Sequence, residues 1–82
     1  MLEKTKSIFD PKYREFIASM ICRRKSLHMT QRELAKKLET SHCYVARTET
    51  NERRIDLMES IALMRALGLS DKQIINEIKK LL

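Results

Sequence analysis

An all-α fold, a compact bundle of about five short helices, is the class this chain predicts. Three observations carry it. Apolar residues recur at helical spacing through the chain, capping residues stand ahead of those runs, and no stretch alternates polar and apolar residues as a half-buried strand would. The 82 residues are enough for one small core and not for two, and a single Gly and a single Pro leave little room for long linkers. The expected organisation is therefore one domain over residues 10–82, preceded by a flexible basic arm at residues 1–9.

The first helix follows from Asp10 and Pro11, a cap and a first-turn proline, after which Tyr13, Phe16, Ile17, Met20 and Ile21 repeat at helical spacing to about Lys25. Cys22 reads as a small buried core residue of this helix. Thr30 and Glu33 form a capping box, so a second helix begins at Gln31. Its inward face is Leu34, Ala35 and Leu38, and Arg32, Lys36 and Lys37 point outward. Ala35 is small enough to let another helix come close. Ser41 is the next cap, and behind it Tyr44, Val45 and Thr48 share the packing face of a third helix. His42, Cys43, Ala46 and Arg47 share the other face. Asp56 and Glu59 cap a fourth helix with Leu57, Ile61, Met64 and Leu67 as its apolar stripe, ended by Gly68. Ser70 with Gln73 starts a fifth helix that carries Ile74, Ile75, Ile78, Leu81 and Leu82.

Residues 30–54 thus read as two short helices around a tight turn, the second presenting small polar and basic side chains as a base-reading helix does. Charge agrees. Residues 23–54 hold nine Lys or Arg against four Asp or Glu, a net of +5 of the chain's +6, whereas residues 55–82 are neutral. Basicity alone usually marks a solvated face; its coincidence with the motif makes it a footprint for phosphate.

The run Thr30-Gln31-x-Glu33-Leu34-Ala35, then Ser41, Tyr44-Val45, Arg47, Glu49 and Glu52-Arg53-Arg54, resembles in order and spacing the Cro and phage-repressor type helix-turn-helix family, also called Xre, over roughly residues 13–68. The resemblance implies a lambda-repressor-like fold, double-stranded DNA as partner, and a second motif helix lying in the major groove. It makes His42, Cys43, Ala46 and Arg47 the base readers, Arg47 foremost, since a guanidinium donates two hydrogen bonds to guanine. It places Gln31, Arg32, Ser41, Tyr44, Arg53 and Arg54 at phosphates, with Gln31 also bracing the first recognition residue. Arg24 and Glu49 match a partly buried salt bridge of structural role. Where the family has glycine, this chain has His28, Glu39 and Asn51, which implies a strained or reshaped turn between the motif helices, Glu39 tolerating positive φ least. Thr48 stands where the family prefers a larger apolar residue, which implies a modestly stable domain.

The apolar face of the fifth helix, Ile74, Ile75, Ile78, Leu81 and Leu82, has two readings: it meets a second protomer, or it closes the monomer's own core. The first is the expectation taken here. Catalytic or metal chemistry has thin support, because Cys22, His28, His42 and Cys43 form no ligand spacing, and His42 and Cys43 diverge by about 100 degrees on a helix. No enzyme activity, cofactor or metal is expected. Neither a signal peptide nor an apolar stretch long enough to span a bilayer is visible, and the two cysteines form no disulfide framework, so a cytoplasmic location without membrane association is expected. The functional expectation is a homodimeric transcriptional repressor or controller on a palindromic operator. The alternative is an antitoxin-like or anti-regulator module whose partner is a protein such as a toxin.

Overall fold

The computed structural model describes residues 10–82, and the arm expected at residues 1–9 lies outside the described residues. Five helices follow in order: α1 Pro11–Ser26, α2 Gln31–Lys37, α3 His42–Glu49, α4 Leu57–Ala66 and α5 Asp71–Lys80. Each is preceded by a side chain that accepts a hydrogen bond from an otherwise orphaned helix amide: Asp10, Thr30, Ser41, Asp56 and Ser70. At α2, α4 and α5 the third helical residue, Glu33, Glu59 or Gln73, returns the bond to the cap's own amide and completes a capping box. Helix starts are thus decided locally.

Helix ends are equally regular. After α1, α2, α3 and α4 the chain passes through one residue of left-handed conformation, His28 (φ 56), Glu39 (φ 56), Asn51 (φ 64) and Gly68 (φ 83). Each is followed by the same bond, from Met29, Thr40, Glu52 and Leu69 amides to the carbonyls of Arg24, Ala35, Arg47 and Met64. These are Schellman closures, which use carbonyls the helix would leave unpaired. Three of the four lack the glycine that makes such a turn cheap, yet the turn keeps its left-handed form. The expected reshaping does not occur, because two backbone bonds and the packing on either side hold the residue there; strain is what remains. A left-handed residue other than glycine costs about 1–2 kcal/mol, against a smaller entropic cost of glycine. Glu39→Gly should therefore raise stability by about 0.5–1 kcal/mol, read as a melting temperature higher by roughly 2–8 °C.

The core is one cluster. Phe16, Ile17 and Met20 of α1, Leu34 and Ala35 of α2, Val45 of α3, Ile55, Leu63, Met64 and Leu67 around α4, and Ile74 of α5 are all buried. The helix α3 packs on both α1 and α2, and α4 packs on α5. Thr48 is buried among them, its hydroxyl donating to the Tyr44 carbonyl at 2.8 Å, beside an apolar void of about 20 Å³ that Ile17, Leu34 and Val45 also line.

Two readings of the core need correction. Cys22 is exposed, because it lies two positions beyond Met20, about 200 degrees around α1 from the buried stripe. Leu57 is 62% exposed, with Met58 beside it at 72%. As the first residue of α4, Leu57 projects beyond the cluster, and Ile55, two residues earlier, enters the core in its place.

Candidate nucleic-acid interface

The motif is α2, the turn through Glu39, and α3. Apolar packing fixes the two helices against each other through Leu34, Ala35 and Val45, and a polar chain fixes their ends. Arg24 grips Glu49 with two bonds, Nε to Oε2 at 2.7 Å and Nη2 to Oε1 at 2.9 Å, and donates a third from Nη1 to the Met29 carbonyl at 2.8 Å. Gln31 Nε2 also donates to Glu49 Oε1, at 2.8 Å, and Gln31 Oε1 meets His42 Nε2 at 3.0 Å. One network therefore joins the end of α1, the start of α2 and both ends of α3. Bidentate geometry makes the ion pair strong, and its burial makes loss of either partner costly.

On the far side of α3, Cys43 and Arg47 are exposed, one turn apart, while His42 and Ala46 are half-buried. Ser41 is exposed, and its oxygen caps α3 by accepting from the Tyr44 amide at 3.1 Å. The start of α3 thus directs backbone N–H groups and partial positive charge outward from the same edge as His42 and Cys43.

The cationic side chains divide into two groups. Arg23 donates to the carbonyls of Leu67 (2.9 Å) and Gly68 (3.3 Å) at the C-terminus of α4, and Arg24 belongs to the network above. Arg53 lies 4.3 Å over the Tyr44 ring and donates to Glu59 Oε2 at 2.9 Å; Tyr44 donates its hydroxyl to the same oxygen at 3.0 Å. Two of the six residues expected at phosphates, Tyr44 and Arg53, are therefore held by one carboxylate. Sequence reading missed Glu59 in this role, since its capping-box position already accounted for it. Arg32, Arg47, Lys36 and Lys37 on the motif, and Lys25 at the end of α1, are exposed and have no such partner among the described residues.

Burial, the hydrogen bond to Glu59 and its charge push the Tyr44 hydroxyl from 10.0 up to about 12. The Asp56 amide, with Arg53 and Tyr44, holds the Glu59 carboxyl below its usual range despite the opposing effect of burial. An unfolded chain releases the Tyr44 proton near pH 10 and the folded one near 12. This contribution to stability is thus full below pH 10 and lost as the pH rises through 12. An ultraviolet titration should show one tyrosine ionising near 12, and Tyr44→Phe should abolish that step.

With the geometry in place, the comparison with protein families is decisive: the helix-turn-helix family profile matches residues 23–74, from the end of α1 into α5. The chain belongs to the helix-turn-helix family. Within it the Xre and Cro-like pattern read from the sequence holds, and the chain is in general terms a DNA-binding regulator. No curated protein and no solved structure matches it significantly. This helix-turn-helix protein has no helix, among the described residues, long and apolar enough to cross a membrane, and no three His, Cys, Asp or Glu side chains among them gather to hold a metal ion.

Proposed function

We propose that the protein is a sequence-specific transcriptional regulator that acts as a homodimeric repressor or controller on a palindromic operator. The observation that carries this reading is the α3 edge. Arg47 and Cys43 stand exposed beside a braced His42, on a helix tied at both ends to the rest of the domain. A base-reading helix needs that rigidity, because specificity depends on holding donors and acceptors in register with base edges. Base reading falls to His42, Cys43, Ala46 and Arg47, and positioning to Gln31, Arg32, Ser41, Tyr44, Arg53 and Arg54. For Tyr44 and Arg53, a phosphate would have to compete with Glu59.

The dimer part of the proposal rests on α5. Ile74 is buried in the protomer's own core and Ile78 packs against it. Ile75 (53% exposed), Leu81 (38%) and Leu82 (89%) stay outside, within the stretch 55–82 whose charges sum to zero, where two +6 chains repel least. Ile75→Asp should shift sedimentation from dimer to monomer with the melting temperature nearly unchanged; a sedimentation profile identical to wild type would remove α5 from the interface.

Selection of bound sites from a random duplex library at near-physiological salt tests the whole reading. A palindrome with half-site centres one helical turn apart is the expected product. Failure to enrich any site would favour the antitoxin-like alternative, in which the exposed apolar residues of α5 meet a different protein such as a toxin.

A further inference from the structure

The network around Gln31 has a consequence for what His42 reads. Glu49 is an acceptor only, so the Gln31 group 2.8 Å from Glu49 Oε1 must be its NH2. The amide orientation is thereby fixed, and the Gln31 atom facing His42 Nε2 at 3.0 Å is the carbonyl oxygen. A carbonyl accepts and cannot donate, so His42 Nε2 carries the hydrogen. A neutral imidazole has one N–H, and Nδ1 is left as a lone pair. Nδ1 has no partner among the described residues, and it is not among their buried, unpaired atoms, so it faces solvent at the first position of α3.

The geometry points to His42 as a specificity-determining acceptor, set in its Nε2–H tautomer by the chain Arg24–Glu49–Gln31, whose Nδ1 takes a hydrogen bond from the exocyclic amino group of adenine or cytosine. In the major groove those two amino groups are the donors a base edge offers, and guanine and thymine present acceptors at the corresponding atoms. His42, which by type alone could read either kind of edge, is thus restricted to one. A buried ion pair 25 residues apart in sequence sets the hydrogen-bonding sense of a recognition side chain. The inference rests on the DNA reading proposed above.

The test has two arms on the full-length protein. Long-range 1H–15N spectra at pH 8, with His42→Ala to assign the ring, should show Nε2 protonated and Nδ1 bare in wild type, and an averaged tautomer in Gln31→Ala. Duplex selection with wild type and His42→Ala should then find one position per half-site where adenine or cytosine is preferred about tenfold over guanine by wild type only. A wild-type Nδ1–H tautomer would overturn the inference, and so would a guanine preference at the His42-dependent position or the absence of such a position. Selection that enriches no site while the spectra show Nε2–H would overturn it by removing the DNA reading beneath it, and the spectra identify that as the step that failed.

Discussion

Arg24→Ala should cost about 3–5 kcal/mol, at least a quarter of the stability of a domain this size, for which about 4–12 kcal/mol is typical. The substitution leaves Glu49, 12% exposed at its side chain, with one donor, Gln31, where it had three, and it strips the Met29 carbonyl of its side-chain bond. Glu49→Ala should be comparably severe, since it strands the guanidinium. Urea unfolding measures both, and a loss of less than about 1 kcal/mol, the range of an exposed ion pair, would show the pair to be solvated. The apolar double replacement Arg24→Met with Glu49→Leu is the informative comparison. Removing both charges abolishes the desolvation cost of each, so the double variant should be more stable than either single one. It would also release Gln31 from Glu49, so restored stability should come without restored orientation of His42.

Arg47→Ala should leave the fold intact and lower affinity for the selected site by about 1–3 kcal/mol, or roughly 5- to 150-fold, with one base position relaxed. The side chain is exposed on α3 and, among the described residues, makes none of the bonds that hold the motif together; the backbone does, its carbonyl accepting from the Glu52 and Arg53 amides and the Thr50 hydroxyl. Alanine preserves that backbone role. Arg32→Ala is the contrast: as a phosphate contact it should weaken binding about equally on every sequence and reduce the salt dependence by about one ion. Fluorescence titration of a selected and a scrambled duplex at several salt concentrations separates the two patterns. Equal loss on both duplexes for Arg47→Ala would move that residue from the bases to the backbone.

Much of this architecture was legible because its signals are local. Thr30 with Glu33, Asp56 with Glu59 and Ser70 with Gln73 are three residues apart, within the reach of one helical turn, and all three form the boxes their spacing predicts. The Arg24–Glu49 pair was legible only through the resemblance, since no local spacing links residues 25 apart. What misled the reading was also geometric. Cys22 and Leu57 are apolar residue types at positions that a helix turns away from, or carries past, the core. Periodicity fixes a face of a helix but not how far along the neighbouring helices extend.

Composition, caps and periods determined the helices, their order and the cationic motif between residues 23 and 54, because each depends on neighbours within one turn. The tertiary structure alone decided which polar atoms are committed. It closed Ile74 into the core while leaving Ile75 outside, tied Tyr44 and Arg53 to Glu59, and set Gln31 between Glu49 and His42. Side chains far apart in the chain meet only when the helices pack, and a hydrogen bond has a direction that a list of residue types does not contain.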